Sequence, residues 1–413
     1  MKVLYYHQYF TTPDLGGGTR SYEFAKKLIE RGHQVTIVCA GEIDKYNLAP
    51  SSQNNINRGY VDGIEVIQIV LPYSNYDGIA KRTVTFLKFA FKGIRIALRE
   101  EYDILFATTT PLTAGIPGIF MKWMGKKEKF VFEVRDLWPD LPKALGMKNP
   151  FLLWGMGILE KTSYRKADAC IGLSPGIREG IAKRSQKDKE IALIPNGCDL
   201  KMFKPGDRSK LQLGDIKPTD TVAIFTGAHG IANGLDAVLD AAQVLIDKMR
   251  DDIILVFIGD GKLKPELVAR ANEEKLTNCR FFDSMPKSKL NQIVSNADIG
   301  MMILANIPAF YYGTSPNKFF DYISSGLPVL NNYPGWLADM IEENDCGVVV
   351  LPNDAEAFAD ALIKLADNSV LRTTYGANAR SLAEREFSRD ELANKFVNFL
   401  EKINNDVKPE RMA

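Results

Sequence analysis

The stretch GTSPNKFFDYISSGLPVL, at residues 313–330, has the pattern of a loop, a helix and the start of a strand. An apolar run at 299–304 precedes it and is typical of a buried strand. Ser315 before Pro316 predicts a capped helix N-terminus, and Gly326 predicts a left-handed helix stop. A helix N-terminus that follows a strand favours an anion, because its free backbone N–H groups and its dipole point the same way.

Three polar side chains follow the predicted helix start and share one face. Asn317, Lys318 and Asp321 occupy positions i, i+1 and i+4. Lys318 can meet a phosphate, whereas the Asp321 carboxylate can accept hydrogen bonds from two adjacent hydroxyls, as on a ribose. These residues predict a nucleotide pocket. The alternative is an ordinary capped helix with a solvated Lys–Asp pair.

Short apolar runs alternate with helical patterns on both sides of this stretch, which is typical of parallel sheets covered by helices. The chain opens with a predicted strand at 3–6, a glycine loop at 16–18 and a helix at Arg20–Glu30. The same order of elements restarts at 222–226, with a second glycine loop at 227–234. In both units the glycines let the backbone approach a ligand.

At 413 residues the chain is long enough for two cores. We predict an α/β protein with two Rossmann-like parallel-sheet domains, residues 1–200 and 201–387, that face a central cleft. An amphipathic helix within 388–413 is predicted to pack back on the first domain. Apolar content of 46% and charged content of 25% are typical of a globular protein. The N-terminus has a strand pattern rather than a signal-peptide pattern, so we expect a cytoplasmic protein.

A series of motifs, in this order and spacing, resembles the GT4 family of retaining glycosyltransferases, which have the GT-B fold. They are GGGTRSYEFAKKLIERGHQVTIV at 16–38, RDLWPD at 135–140, IPNGCD at 194–199, GAHGIANGLD at 227–236, FIGDGKLKPEL at 257–267, MPKSKL at 285–290, NADIGMMIL at 296–304 and the stretch quoted above. The chain is most similar to O-antigen or capsule transferases of the WbuB type, over nearly its whole length.

This resemblance implies that the second domain binds a nucleotide-sugar donor without a metal or other cofactor, and that the first domain binds the acceptor. Positive protein groups would then stabilise charge on the departing diphosphate. The predicted donor-binding residues are Gly17, Gly18, Gly227, His229, Gly230, Gly259, Asp260, Gly261, Met285, Ser315, Asn317 and Asp321. The predicted catalytic residues are Lys318, Asp136 and Arg135, and the predicted acceptor contacts are His7, Arg20 and Trp138.

Two departures from the family pattern concern the sugar and the catalytic centre. Gly313 stands where the family often has the first of two glutamates eight positions apart, and Asp321 stands where it has the second. Arg135 stands where many members have a histidine. The missing first acid removes a contact that the family makes with the sugar ring.

A third departure concerns the phosphates. The family often has an arginine and a lysine in the second glycine loop, where this chain has Ala228 and Asn233. We expect Lys318 and the backbone N–H groups of residues 227–231 to hold the diphosphate instead, with His229 as a further candidate.

The net charge of +1 conceals an asymmetry between the two halves. Residues 1–200 carry 28 Lys and Arg against 21 Asp and Glu, whereas residues 201–413 carry 24 against 30. A predicted apolar helix at 82–99 holds many of these cations, and a second basic cluster lies at 122–129. We expect this domain to lie on an anionic membrane, on the inner face of the cell membrane. A core helix with a solvated basic face is the alternative.

The leading functional hypothesis is a retaining glycosyltransferase in surface polysaccharide synthesis. It would move a sugar, such as an N-acetylated or 6-deoxy amino sugar, from a UDP-sugar donor to a polyprenyl-diphosphate-linked acceptor. An isomerase like UDP-N-acetylglucosamine 2-epimerase has two similar halves and stays open as an alternative, as does a two-lobed binding protein. We expect no nucleic-acid partner.

Overall fold

The computed structural model describes residues 1–15, 18–43, 45–46, 48, 55–72 and 77–406. The strands of the first domain are β1 (Lys2–Tyr6), β2 (Gln34–Gly41), β3 (Ile56–Val61), β4 (Ile64–Val70), β5 (Ile104–Thr108), β6 (Lys129–Val134), β7 (Ala169–Gly172) and β8 (Glu190–Leu193). They form one sheet in the order β3-β4-β2-β1-β5-β6-β7-β8. β3 runs antiparallel to β4, and the other neighbours are parallel.

Helices cover both faces of this sheet because side chains alternate along each strand. The helices are α1 (Arg20–Glu30), α2 (Ile79–Arg99), α3 (Ile116–Trp123), α4 (Asp140–Ala144), α5 (Pro150–Lys166) and α6 (Pro175–Arg184). On β1, Val3 and Tyr5 join the core under α1, whereas Leu4 and Tyr6 join the core under α2, α3 and α5. The strands therefore end together at one edge, where the chain turns into loops.

The second domain is a six-stranded parallel sheet with helices on both faces. Its strands are β9 (Thr221–Thr226), β10 (Ile253–Ile258), β11 (Cys279–Phe282), β12 (Ile299–Met302), β13 (Val329–Asn331) and β14 (Gly347–Val349), in the order β11-β10-β9-β12-β13-β14. Its helices are α7 (Asp236–Asp247), α8 (Lys264–Glu273), α9 (Lys287–Ser295), α10 (Pro308–Tyr311), α11 (Asn317–Ser324), α12 (Trp336–Glu343), α13 (Ala355–Asp367) and α14 (Ser369–Glu386). The predicted fold class, two Rossmann-like domains, is confirmed.

The last helix, α15 (Arg389–Asn405), lies in the core of the first domain. Its Phe396 ring stacks on Phe24 of α1 with 4.4 Å between ring centres, and meets Phe106 of β5 edge-on at 5.0 Å. The chain therefore crosses from the second domain back to the first. Within the described part of the chain, none of the helices combines the length and apolar character needed to cross a bilayer.

Two local predictions are wrong. The all-parallel sheet expected for the first domain ends in an antiparallel β3–β4 hairpin, which turns at Asp62 and Gly63 with positive φ angles of 51° and 82°. Ser315 is not the helix cap: α11 begins at Asn317, and the Ser315 hydroxyl instead accepts the backbone N–H of Asn196. The predicted stop at Gly326 is confirmed, with a φ of 68°.

Candidate functional site

Lys318 lies in the first turn of α11 and faces the carboxyl end of β9. Its Nζ donates to Asn233 Oδ1 at 2.8 Å and lies 3.9 Å from the centre of the Phe225 ring. Burial lowers the pKa of Lys318 to about 7, although the side chain keeps partial contact with the cleft. An anion at this position would favour the protonated ammonium, because an opposite charge raises the pKa of a lysine.

Asn233 holds Lys318 in place from the second glycine loop. Its Nδ2 donates to the carbonyl of Ala228 at 2.7 Å, while its Oδ1 accepts from Lys318. A Cβ on Gly227 would lie 3.3 Å from Lys318 Cε, so the lysine chain passes close over the loop backbone. Asn233 stands where the family often has a basic residue, and it thus orients Lys318.

His229 does not face the cleft. Its ring is fully buried among Phe225, Phe257 and Phe281, with ring centres 6.0–6.5 Å apart. Burial, with a smaller effect of the Lys264 charge, lowers the pKa of His229 to about 4. Neither ring nitrogen has a hydrogen-bond partner among the described residues. A neutral, enclosed imidazole cannot clamp a phosphate, so that role predicted for the His229 side chain is wrong.

The glycines of the second glycine loop and those of the loop at residues 259–261 have different surroundings. A Cβ on Gly259 would lie 1.9 Å from the Gly227 oxygen, and one on Gly261 would lie 2.5 Å from the His229 oxygen. These two glycines therefore let one loop backbone pack on the other. Gly230 has no atom within 4 Å of its Cβ position and leaves open space beside the loop.

The backbone amides of the second glycine loop are only partly available. The N–H of Gly227 donates to the Ile258 carbonyl, and the N–H of His229 donates to the Asp260 carbonyl, each at 2.9 Å. The Asp260 carboxylate accepts the N–H of Gly261 at 2.8 Å. Lys318 is therefore the strongest anion-binding group at this end of the sheet.

Asp321 lies one turn further along α11 and is nearly buried. Its Oδ1 is 3.5 Å from Nζ of Lys287, the first residue of α9. Lys287 is also nearly buried and lies 5.3 Å from the Phe203 ring. Met285, two residues earlier, packs against the core of this domain. The structure thus gives the predicted ribose-binding carboxylate a lysine partner.

His7 follows β1 at the cleft edge of the first domain and is linked to α1. The Tyr5 hydroxyl donates to Ser21 Oγ at 3.0 Å, and Ser21 Oγ shares a hydrogen bond of 2.8 Å with His7 Nδ1. Burial, followed by the charges of Arg135 and Lys45, holds the pKa of His7 well below its ordinary value. His7 therefore favours the neutral imidazole.

Glu133, the penultimate residue of β6, is the charged centre of the first domain. It is fully buried and accepts two hydrogen bonds from Arg20, at 2.8 and 3.1 Å, and one from Thr108 at 2.7 Å. Arg135 Nε lies 3.7 Å from its other oxygen. Burial opposes ionisation, but the two arginines and these hydrogen bonds outweigh it and lower the pKa of Glu133.

Arg20 has no role at the acceptor in this arrangement. Besides Glu133, its guanidinium donates to the backbone carbonyls of Ile194 and Pro195 at 2.7 and 2.6 Å, and the side chain is buried. The predicted acceptor contact for Arg20 is therefore replaced by a structural one. Arg135, by contrast, stays partly exposed beside Asp136, whose pKa is raised by burial against the opposing charge of Arg135.

The motif around Trp138 is held by a second ion network. The backbone N–H of Trp138 donates to Glu160 at 3.0 Å, and Arg184 bridges Glu160 and Asp140 at 3.2 and 2.5 Å. Among the described residues the Trp138 indole N–H has no partner. The network fixes the backbone at Trp138, whose partly buried ring packs against the core under α2, α3 and α5.

The two domains meet at the N-terminus of α11. Asn196 donates to Ser315 through its backbone N–H at 3.0 Å and its side-chain amide at 2.6 Å. A Cβ on Gly18 would lie 3.2 Å from Nδ2 of the exposed Asn317. The first glycine loop therefore approaches the anion site, and Gly17 lies outside the described residues. Ser315 therefore contributes to the contact between the two domains.

A cavity of about 240 Å³ lies between the domains beside this contact. It is lined by Asp136 and Asp140 from the first domain and by Phe310, Tyr312 and Gly313 from the second. Gly313 thus faces a carboxylate across the cleft. No group of three His, Cys, Asp or Glu side chains suited to a metal ion occurs among the residues that the structure describes.

Sequence analysis missed the partners of the predicted residues. The sequence did not predict the roles of Glu133, Lys287 and Lys264. A charged residue in an apolar run or at a helix start does not reveal which distant residue it contacts. Lys264 donates to the carbonyls of Gly259 and Phe282 at 2.9 and 3.0 Å and so ties two loops together. Asn233 was found only as a departure from the family pattern.

The two Rossmann-like domains and the cleft between them have the GT-B architecture. The family profile described as "Glycosyl transferases group 1" matches residues 209–382, and that described as "Glycosyl transferase 4-like domain" matches residues 16–197. The second domain thus resembles the group 1 glycosyltransferases and the first the glycosyl transferase 4-like domain, and the chain is a glycosyltransferase, a transferase enzyme.

Relatives agree with this assignment, and solved structures agree with the fold. An uncharacterized glycosyltransferase, MJ1069 of Methanocaldococcus jannaschii, is 21% identical over 98% of this chain and 99% of its own. An Escherichia coli UDP-Gal:alpha-D-GlcNAc-diphosphoundecaprenol alpha-1,3-galactosyltransferase is 26% identical over 44% of this chain and 46% of its own. Sucrose-phosphate synthase from Thermosynechococcus elongatus has a TM-score of 0.75 at 17% identity, over 97% and 98% of the two chains. Anabaena Alr3699/HepE in complex with UDP-glucose has a TM-score of 0.68 at 15% identity, over 97% and 100%.

Proposed function

We propose that this glycosyltransferase moves a sugar from a UDP-sugar to a polyprenyl-diphosphate-linked acceptor, with retention of the anomeric configuration. The observation that carries the donor half is Lys318, held by Asn233 at the N-terminus of α11 and only half-buried there. A cation and a helix N-terminus at the end of a parallel sheet suit a diphosphate. A structural neighbour in complex with UDP-glucose and a relative named for a UDP-sugar support the nucleotide.

Catalysis would rest on charge stabilisation of the leaving group. The acceptor hydroxyl attacks the anomeric carbon from the face that the diphosphate leaves, so a C–O bond forms as the bond to the diphosphate breaks. The acceptor proton passes to an oxygen of the departing diphosphate. Lys318 stabilises the charge that develops there, so we expect no metal requirement. Arg135 and Asp136, on the opposite side of the cleft, are proposed to contact the sugar and the acceptor.

The acceptor half rests on the first domain. Neutral His7, Arg135 and Trp138 lie at the carboxyl edge of its sheet, which is where ligands of such sheets bind. The relative from Escherichia coli is named for a diphosphoundecaprenol-linked acceptor. We propose that the site takes an acceptor of this chemistry at the membrane surface, as a step in surface polysaccharide synthesis.

A donor screen tests the proposal. The protein is incubated with UDP-, GDP- and TDP-sugars and a short-chain lipid-diphosphate-sugar, and nucleotide release is followed with and without EDTA. We expect one UDP-sugar to give UDP and a product one sugar larger. The new glycosidic bond should have the same anomeric configuration as the bond in the donor. Turnover that stops with EDTA and returns with Mg²⁺ would contradict the metal-free mechanism, and an inverted product would contradict retention.

A further inference from the structure

The exposed apolar side chains of this protein cluster on one face of the first domain. Of the nineteen large apolar side chains exposed among the described residues, eleven lie on α2, α3 and α5 or just after α3 and α4. They are Val84, Leu87, Phe91, Leu98, Trp123, Met124, Leu145, Phe151, Leu152, Trp154 and Ile158. α3 lies between α2 and α5 and packs against both. Large exposed apolar patches mark surfaces that bind a partner or a membrane.

The first half of α5 is the most apolar part of this face. Residues 150–159, PFLLWGMGIL, contain no charge. Phe151, Trp154 and Ile158 are exposed at i, i+3 and i+7, so they form one outward stripe, and Phe151 and Trp154 are 82% and 70% exposed. The opposite side of the helix is held in the domain by buried Ser163 and Tyr164. A core helix has no reason to present two aromatic rings to water.

The local structure holds this stripe in place at the cleft edge. Asn149 caps the helix, since its Oδ1 accepts the N–H groups of Phe151 and Leu152 at 3.1 and 3.2 Å. β6 ends at the carboxyl edge of the sheet, and α4, which follows, lines the cavity between the domains. α5 therefore starts at this edge and runs back towards β7. The aromatic end of α5 lies on the same edge of the domain as the cleft.

Basic side chains surround the stripe. Lys143 and Lys148 are exposed before α5, and Lys161 and Arg165 are exposed further along its outward side. On α2, Lys88 and Arg95 are exposed beside the apolar side chains. An apolar stripe with aromatic rings, edged by Lys and Arg, is the pattern of a helix that lies in the interface of an anionic bilayer. Tryptophan in particular favours the level of the lipid headgroups.

We propose that residues 150–159 of α5 insert into the interfacial layer of an anionic lipid bilayer, with the surrounding lysines and arginines on the headgroups. The functional meaning of this inference rests on the proposed function. Insertion of α5 would bring the edge of the cleft to the membrane surface, where a lipid-linked acceptor lies. It differs from docking by the α2 basic face alone, since the binding free energy comes in large part from apolar burial.

Vesicle binding with α5 variants tests the inference. The full chain is sedimented with vesicles of phosphatidylglycerol and phosphatidylcholine, and Trp fluorescence is recorded with and without brominated acyl chains. Phe151→Ser and Trp154→Ser should each lower the partition coefficient about tenfold, because each removes one large aromatic ring that the parent buries in the bilayer. Trp154→Phe should keep binding but remove most of the blue shift and of the quenching, since it preserves an apolar ring without the indole.

The double variant Leu351→Ser/Val370→Ser, at exposed apolar positions of the second domain, is the matched control and should bind as the parent does. Parent protein that does not bind these vesicles, or variants of α5 that bind as tightly as the parent, would overturn the inference. A Phe151-dependent dimer without vesicle binding would assign the face to a second copy instead. Turnover on a water-soluble acceptor analogue is measured in parallel. Turnover without insertion defeats this inference alone, and insertion without turnover defeats the proposed function alone.

Discussion

The two domains share a Rossmann-like architecture but hold their charged groups differently. In the second domain the cation that faces the cleft, Lys318, has one hydrogen-bond partner at 2.8 Å, Asn233, and its pKa is lowered to about 7. In the first domain the central charge, Glu133, is fully buried and is neutralised by Arg20 and Arg135. We propose that the second domain keeps Lys318 for a soluble anion, whereas the first domain uses its charges to hold the cleft wall.

The outer surfaces of the two domains also differ, in their exposed apolar and basic side chains. Exposed apolar side chains concentrate on α2, α3 and α5 of the first domain, while in the second domain those on the outer surface, such as Met249 and Val370, are scattered. The first half of the chain also carries the excess of basic residues. From this comparison we propose that one fold, used twice, serves a water-soluble donor on one side and a membrane-borne acceptor on the other.

Removing the buried charge of the first domain should have the largest effect. Glu133→Ala should destabilise the protein by about 3–5 kcal/mol, because Arg20 is left buried without its partner. Thermal unfolding followed by circular dichroism measures the loss. Glu133→Gln, which keeps the volume and part of the hydrogen bonding, is the control and should lose less. An unchanged unfolding midpoint in Glu133→Ala would mean that Arg20 and Arg135 do not depend on this carboxylate.

Lys318→Ala should lower turnover by about 10²–10³, since one preorganised group that stabilises developing charge is lost. Stability should change little, because the lysine keeps contact with the cleft. The rate of UDP release from the donor found in the screen is the measurement, with exposed Lys289→Ala of the same domain as the control. If Lys318→Ala kept most of the activity, the diphosphate would lie elsewhere in the cleft.

Asp321→Asn should weaken UDP binding by about 1–3 kcal/mol, the range for a hydrogen bond to a charged partner. Calorimetry with UDP and with its 2′,3′-dideoxy analogue separates a ribose contact from a general disturbance, because Lys287 also loses its partner. The substitution should matter for UDP and not for the analogue. Equal losses for both ligands would assign Asp321 to holding Lys287 rather than to the ribose.

The pKa of Lys318 predicts how UDP affinity depends on pH. Above pH 7 the free protein carries a neutral Lys318, so binding a diphosphate must take up a proton. Affinity should therefore fall by up to about tenfold per pH unit from pH 7 upwards, until the raised pKa of the complex is passed. UDP affinity is measured between pH 6 and 9 for the parent and for Lys318→Ala. The titration of UDP itself affects both proteins equally, so the difference between the two profiles reports on Lys318. Parallel profiles for the two proteins would contradict the prediction.

The smallest effects concern the basic face of α2. Lys88→Ala and Arg95→Ala should each weaken binding to anionic vesicles by about 1 kcal/mol, roughly fivefold, and the loss should shrink with added salt. Lys364→Ala and Lys395→Ala remove the same charge from other surfaces and should leave binding unchanged. If all four variants bind equally, net charge rather than this face governs attachment.

The sequence predicted the repeating elements better than the contacts between them. α1 has the predicted bounds, Arg20–Glu30, because its apolar spacing and the following Gly32 are local signals. The β3–β4 hairpin was missed, since β3 (INRGYV) lacks a clear apolar run. Glu133 and Lys287 were missed because their partners, Arg20 and Asp321, lie 113 and 34 residues away. His229 was misplaced because a glycine loop does not show which way its side chains point.

The central claim is that the two domains act together in a transfer from a soluble donor to a lipid-linked acceptor. The most direct measurement supplies the donor found in the screen together with a lipid-diphosphate-sugar in anionic vesicles, and counts UDP and product by mass spectrometry. The account predicts one UDP released for each lipid that gains one sugar, and little UDP without the lipid. An epimerised sugar, or UDP formed without any enlarged lipid, would contradict it.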